Sequence, residues 1–278
     1  WYTENQTQNV NFSMKVKNHL YSEQSPFQKI DVLDTYEFGR VLVIDNWTMV
    51  TEKDEFIYHE MITHVAMATN KDIKNVLVIG AGDGGTVREL TRYKTIKNID
   101  MVEIDESVVK ASKEFLPFTS NKLDDERVNL FFEDGIKFVK GKQSLYDLII
   151  VDSTDPIGPG EGLFTSEFYK DCFSALTEKG ILINQCESPY YPHNSREMKR
   201  SFSKLKGIFN ICEAYQYHMP TYASGHWMFC FASKELHPLK DFDANYWNSL
   251  GLTTKYYNTD LHKGAFMIPN YVKEILNN

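Results

Sequence analysis

The chain has 278 residues, 42% of them apolar, and a formal net charge of −8. That length supplies one large domain, or a medium one with a small companion, and the apolar share is ample for a core. The acidic balance argues against nucleic acid or an anionic membrane surface as a partner, and it suits a cationic small substrate.

In chain order, residues 1 to about 50 carry short, roughly alternating segments at 12–16, 27–33, 40–44 and 47–51. Ser25-Pro26, Phe38-Gly39 and a tight turn at Asp45-Asn46 separate them. This pattern predicts a small antiparallel sheet, and we assign 1–52 to an amino-terminal β domain. From Asp54 the period changes. Phe56, Ile57, Glu60, Met61, His64 and Val65 fall at helical spacing, which predicts a helix over 54–67. Strand candidates then alternate with helical stretches, at 76–79, 99–104, 128–132, 148–151, 181–185, 211–217 and 227–232. The alternation argues for a mostly parallel sheet covered on both faces, in a second domain over 53–278. Ligands of such sheets bind beyond the carboxyl ends of the strands.

Those strand ends are rich in acids. After Ile79 come Gly80, Gly82, Gly84 and Gly85 around Asp83, and a helix begins near Thr86. Strand, glycine turn and helix fit a dinucleotide, an adenosyl sulfonium donor, or a tight turn without ligand. Asp83 would repel a pyrophosphate and attract a cation. Glu103 lies roughly 20 residues further on, where an acid reaches a ribose diol. The next ends carry Glu133-Asp134-Gly135, then Asp152 and Asp155, then Gln185 and Glu187. Any one of these acids is as well read as a turn former or helix cap. Gathered at one sheet edge, they point to a site. The glycine and proline run at 156–162 reads either as a loop closing over that site or as an ordinary surface crossover.

Other signals carry less. His59 and His64 are five positions apart, so they do not share a face as a zinc-protease helix requires, and we expect no metal. By spacing alone Trp1, Tyr58, Tyr222 and Trp227 read as core or domain seams. The four cysteines have no paired short spacing, which argues against a disulfide framework or a zinc site. With no secretory segment recognised, the cytosol is the expected compartment. No apolar run is long enough to span a bilayer. A start at Trp1 rather than methionine leads us to expect residues ahead of it.

Taken together, Gly80-Ala81-Gly82-Asp83-Gly84-Gly85, Glu103-Ile104-Asp105, Asp134-Gly135, the run from Asp152 to Pro159, Gln185-Cys186-Glu187 and the run from Pro220 to Gly225 resemble the polyamine aminopropyltransferase family. So do Trp1-Tyr2-Thr3-Glu4, Asp54-Glu55-Phe56 and Tyr256-Tyr257-Asn258. The resemblance implies an α/β fold: a Rossmann-like, methyltransferase-type doubly wound sheet behind a small amino-terminal antiparallel β domain. It implies a sulfonium donor, decarboxylated S-adenosylmethionine, as co-substrate rather than cofactor, and putrescine as acceptor. Spermidine and methylthioadenosine would be the products.

By the same resemblance the donor lies over Gly80, Gly82 and Gly135. Glu103 takes its ribose hydroxyls and Asp134 its adenine amino group. Gln28 touches the nucleoside, Pro159 and Leu163 flank the base, and Asp83 holds the ammonium of the aminopropyl arm. Asp152, helped by Tyr58, is the base at the attacking amine. Asp155, Gln185, Glu187, Tyr222 and Trp1 belong to the acceptor side. His59 also falls among the substrate contacts, at a position where the family more often has a glutamine facing the donor. Gly160 and Ala223 are milder departures, from an alanine and a proline. The family forms dimers or tetramers, so a homodimer or homotetramer is expected. Alternatives are a longer acceptor (spermidine or cadaverine), putrescine N-methylation, a non-catalytic polyamine or nucleoside sensor, and a nicotinamide dehydrogenase. Asp83 argues against the methylating reading, because it would repel the carboxylate of ordinary S-adenosylmethionine.

Overall fold

A computed structural model describes residues 1–153 and 158–277. At the amino terminus it forms two sheets, where the sequence pattern led us to expect one. Strands β1 (Tyr2–Thr7) and β2 (Val10–Met14) pair as an antiparallel hairpin. Strands β3 (Val16–Gln24), β4 (Lys29–Thr35), β5 (Arg40–Ile44) and β6 (Trp47–Thr51) form a four-stranded antiparallel meander. The expected strand at 12–16 is therefore split at Lys15, where the chain passes from one sheet to the other. β1 and β3 escape a hydrophobic-pattern search because they are polar and largely exposed. Their strand state comes from neighbours that supply the ladder. Asp45 (φ 48°) and Asn46 (φ 65°) are both left-handed and pair Ile44 with Trp47, the two-residue turn whose twist matches the flanking strands.

Behind this region runs α1 (Glu55–Thr69), and then strands and helices alternate. In order they are β7 (Asn75–Gly80), α2 (Gly85–Thr91), β8 (Asn98–Glu103), α3 (Glu106–Phe115), α4 (Pro117–Ser120), β9 (Val128–Phe132), α5 (Gly135–Val139) and β10 (Tyr146–Asp152). A 3₁₀ turn (Gly158–Phe164), α6 (Ser166–Ala175), β11 (Leu176–Gln185), α7 (Pro192–Lys206), β12 (Ile211–His218) and β13 (His226–Ser233) follow. Three short helices close the chain: α8 (Ala244–Ser249), α9 (Thr259–Ala265) and α10 (Asn270–Asn277).

The seven strands from β7 onward form one sheet in the order β12-β13-β11-β10-β7-β8-β9, with β13 antiparallel to both its neighbours and the rest parallel. Side chains alternate between two cores. Val76, Val78, Leu148 and Ile150 pack with Met61 and Val65 of α1. Leu77, Ile79, Ile149 and Val151 pack with Phe168 and Tyr169 of α6 and with Phe202 of α7. A sheet buried on both faces explains why its strands read as continuous apolar runs. A smaller core, Ile30, Val32, Leu42 and Ile44 against Val108 and Ala111 of α3, fixes the amino-terminal sheet over the carboxyl edge of the large one.

The α1 helix is buried on nearly every side, with Phe56 as the exception. Helical periodicity shows only that one face is apolar; here the polar residues are buried as well and must find partners. The Glu60 carboxylate accepts from the backbone N–H groups of Lys255, Tyr256 and Tyr257, each at 2.8 Å. His64 Nδ1 lies 2.7 Å from Tyr93 Oη, and its Nε2 lies 3.1 Å from Glu89 Oε2. Among the described residues no helix is long and apolar enough to cross a membrane.

Candidate active site

Strand order reverses between β7 and β10. β8 and β9 continue on one side, β11 on the other, so the helices that follow β7 and β10 diverge and leave a crevice. Gly80 pairs with Asp152 across this point, and Ala81 N–H donates to the Asp152 carbonyl at 2.9 Å. Gly80 has φ +87°, and a Cβ there would collide with that carbonyl. Glycine at this position is thus required by both conformation and approach. At Gly82 a Cβ would meet Val108 and sit 3.0 Å from Glu103 Oε2. The glycine turn lets the first two strand ends close on each other.

A cleft of about 1360 Å³, open to solvent, lies over this crevice. It is lined by Gln28 from the amino-terminal region, Gly80, Gly82 and Asp83 from the turn, Glu103, Asp134, Gly135, Asp152, Leu163, Gln185 and Tyr222, and by Tyr58 and His59 of α1. Thirteen positions expected from the sequence therefore meet in one cavity. Two further expected positions, Glu187 and Trp1, do not line it. Glu187 is buried, and it is Asn194, which donates to Glu187 Oε2 at 2.7 Å, that lines the cleft. Trp1 is 81% exposed and away from the lining, because it precedes β1 while Glu4 and Gln6 on that strand face inward. Asp155 lies outside the described residues, and so does the side chain of Pro159.

At the floor of the cleft, Asp152 is held by two hydroxyls. Tyr58 Oη donates to Oδ1 at 2.7 Å and Thr86 Oγ1 to Oδ2 at 2.6 Å. Burial and the nearby Asp83 charge push the Asp152 carboxyl above its ordinary range, against the pull of His59 and the two hydroxyls. Burial, together with Asp152, keeps the Tyr58 phenol protonated. Asp83 accepts from Gly85 N–H at 2.8 Å through Oδ1, the same oxygen that lies 3.2 Å from His59 Nε2.

His59 lies between two carboxylates, with Nδ1 2.6 Å from Glu55 Oε2. Burial alone would lower its pKa; Asp83 and Glu55 outweigh that and raise it to about 10. The ring is thus an imidazolium donating from both nitrogens. His59, Asp83 and Asp152 place their polar atoms within 4.8 Å of one another. With both ring nitrogens donating, the oxygens of Asp83 and Asp152 are the acceptors that the cluster presents to the cleft.

The other strand ends bring two further acids to the cleft, Glu103 and Asp134. Glu103 Oε1 accepts from Asp105 N–H at 3.0 Å, and burial pushes its carboxyl up to about 7. Asp105 itself is structural: it caps α3 through Ser107 N–H and accepts from Ser25 Oγ at 2.6 Å, tying the Gln28 loop to the crevice. Asp134 is both a cap and a cleft residue, since Oδ1 takes Ile136 N–H at 2.9 Å while the side chain lines the cavity. Tyr222 donates to the Met49 carbonyl and is held from behind by Trp227 Nε1, which donates to its carbonyl at 3.1 Å.

Several residues of this site were not anticipated. Glu4 and Gln6 follow from strand alternation once β1 is known to be a strand. Glu55 had a signal, since an acid four residues before a histidine on a helix shares its face. Thr86 had none, because its contact with Asp152 depends on β7 and β10 being neighbours.

Comparison with known proteins agrees with this geometry. Residues 55–244 match the spermine/spermidine synthase domain and residues 1–52 the spermidine synthase tetramerisation domain. The polyamine aminopropyltransferase of Alkaliphilus oremlandii is 64% identical over 276 residues, covering 99% of this chain and 97% of the relative. That of Clostridium perfringens (strain 13 / Type A) is 65% identical, covering 100% and 98%. A spermidine synthase solved in complex with the transition state analogue AdoDATO superposes with a TM-score of 0.97 at 40% identity, covering 100% of this chain and 94% of the other. The spermidine synthase of Thermotoga maritima gives 0.95 at 39% identity, with the same coverage. On sequence and fold together, the chain belongs to the spermine/spermidine synthase family of polyamine aminopropyltransferases.

Proposed function

We propose that the protein transfers the aminopropyl group of decarboxylated S-adenosylmethionine to putrescine, releasing spermidine and methylthioadenosine. The observation that carries this reading is the cluster of Asp83, His59 and Asp152 at the floor of the cleft. Glu103 and Asp134 line the same cleft, which supports reading them as the partners of the nucleoside's ribose and base. AdoDATO, bound by a solved relative, belongs to the ligand class proposed here.

The reaction is a displacement at carbon. The acceptor nitrogen attacks the methylene next to the sulfonium; the C–S bond breaks, its electrons go to sulfur, and a neutral thioether leaves. An alkyl ammonium of pKa about 10 has no lone pair to attack with, so a proton must first be removed. Asp152 is the base. Each of its oxygens accepts one hydroxyl, which orients the carboxylate and leaves further lone-pair directions for the amine. A carboxyl held above its usual range is the better base, and general-base help is worth roughly a hundred- to ten-thousand-fold. Asp83, within the turn, holds the ammonium of the aminopropyl arm. Tyr222 and Gln185 bound the acceptor side; Gln185 Oε1 is buried without a partner among the described residues, so an acceptor ammonium would supply one.

A longer acceptor is the second reading, and Glu4 favours it. This buried carboxylate also lines the cleft, and burial raises its pKa unless a cation joins it. The test is mass spectrometry of the products when putrescine, cadaverine and spermidine are offered together with the decarboxylated donor. We expect spermidine from putrescine as the main product. Dominant transfer to spermidine would establish the second reading, and no transfer to any amine would remove both. We further propose a homodimer or homotetramer, supported by the tetramerisation-domain match over residues 1–52 and measurable by light scattering.

A further inference from the structure

The pair of Glu55, which is buried, and Arg88, which is largely so, has no part in the chemistry above. Its geometry nonetheless leads to the reacting centre. Arg88 donates to Glu55 through two nitrogens, at 2.8 and 3.0 Å, and to the Phe118 carbonyl at 2.7 Å. Glu55 in turn takes His59 Nδ1, and His59 Nε2 faces Asp83. Charges alternate along this chain: arginine, glutamate, imidazolium, aspartate. Glu55, Arg88 and His59 reach bulk water poorly, so their interactions are little screened. Gly85 backs directly onto the ring, and a Cβ there would overlap three ring atoms.

We propose that Glu55 is a positioning residue acting through His59: it holds the ring between itself and Asp83, so that the ring offsets the repulsion of the two carboxylates, Asp83 and Asp152, that meet a cationic substrate. This rests on the aminopropyltransferase reading. Two carboxylates sharing one small site cannot both ionise cheaply, and one is driven to keep its proton. A positive charge held beside them lowers that penalty. Among the described residues the groups facing His59 are few. They are Glu55 and Tyr58 from α1, Asp83 from the glycine turn, Asp152 from β10, and Arg88 of α2, which acts through Glu55 and is shared with Glu89. Without Glu55, His59 loses one of its two anionic partners and its charge weakens. Asp152 then holds its proton to higher pH.

The test is the pH profile of kcat/KM for spermidine formation in the wild type, Glu55→Gln, His59→Gln and the double variant. We expect the acidic limb to move up by about one pH unit in Glu55→Gln, and by at least as much in His59→Gln. The double variant should match His59→Gln, because Glu55 has nothing left to act through. A Glu55→Gln profile that is merely scaled down, with its limb in place, overturns the proposal, and so do shifts that add in the double variant. Should Glu55→Gln not fold, His59→Gln alone decides: an unmoved limb refutes the role of the charge. A wild type that makes no spermidine would instead defeat the underlying reading.

Discussion

Protonation of Glu103 should weaken nucleoside binding near neutral pH. Glu103 ends β8 at 8% exposure, with one oxygen against Asp105 N–H and the other beside Gly82. Loss of water is the main reason its carboxyl rises to about 7; Asp105 adds repulsion, and the backbone N–H groups of Ile104 and Asp105 oppose it. In the proposed complex the ribose diol donates both hydroxyls to this carboxylate, and a protonated acid has one acceptor fewer. With a pKa about 7, the ionised fraction falls from about nine-tenths at about pH 8 to about one-tenth at about pH 6, so the apparent affinity falls about tenfold. An ordinary glutamate, with a pKa of about 4.3, would change by only a few per cent over that range. The assay is calorimetric titration with methylthioadenosine across this window, beside Glu103→Gln, which should bind more weakly but at constant affinity. A flat wild-type affinity, or a variant with the same slope, would refute the reasoning. Stability of the free protein should run the other way. An acid whose folded pKa is raised contributes most below its unfolded value, and that contribution is lost as pH climbs from about 4.5 to about 7.

Asp152→Asn keeps the shape and can still meet Tyr58 and Thr86, but it cannot take a proton; single-turnover rates should drop roughly a hundred- to ten-thousand-fold, with methylthioadenosine affinity little changed. Near-normal turnover would remove Asp152 from its role. Gly85→Ala forces a methyl into the His59 ring, which Glu55 and Asp83 hold from both ends; we expect a loss of about 1–3 kcal/mol in chemical denaturation, and an unchanged midpoint would mean the ring can retreat. Glu60→Ala strands three backbone N–H groups of residues 255–257, and at roughly 1 kcal/mol or more for each the expected cost is about 3 kcal/mol. A loss under about 1 kcal/mol would show that water replaces the carboxylate there.

Much of the large sheet was legible because it is buried on both faces: its strands are apolar runs, and turn residues punctuate them. All seven appear within a few residues of where the pattern puts them, and the Asp45-Asn46 turn has the left-handed pair its chemistry demands. The amino-terminal region was less legible. β1 and β3 are polar strands whose pairing is set by partners far along the chain, which local propensity does not register. The same reason hid Glu4. Trp1, taken from the resemblance, precedes that strand and is exposed, away from the cleft lining.

Local chemistry sufficed for the glycine turn, the row of acids at strand ends and the family they resemble, because each depends on residue type and short spacing. Three-dimensional packing was needed to show which acids share a space. The strand-order reversal sets Gly80 against Asp152, and with the packing of α1 on the sheet it brings Thr86, Tyr58 and His59 to the same carboxylate. Packing likewise made Asp105 a cap, placed Asn194 in the cleft in front of Glu187, and gave His59 its charge. Hydrogen-bond partners and dielectric surroundings belong to the folded assembly of distant segments, and neither can be read from any single stretch of chain.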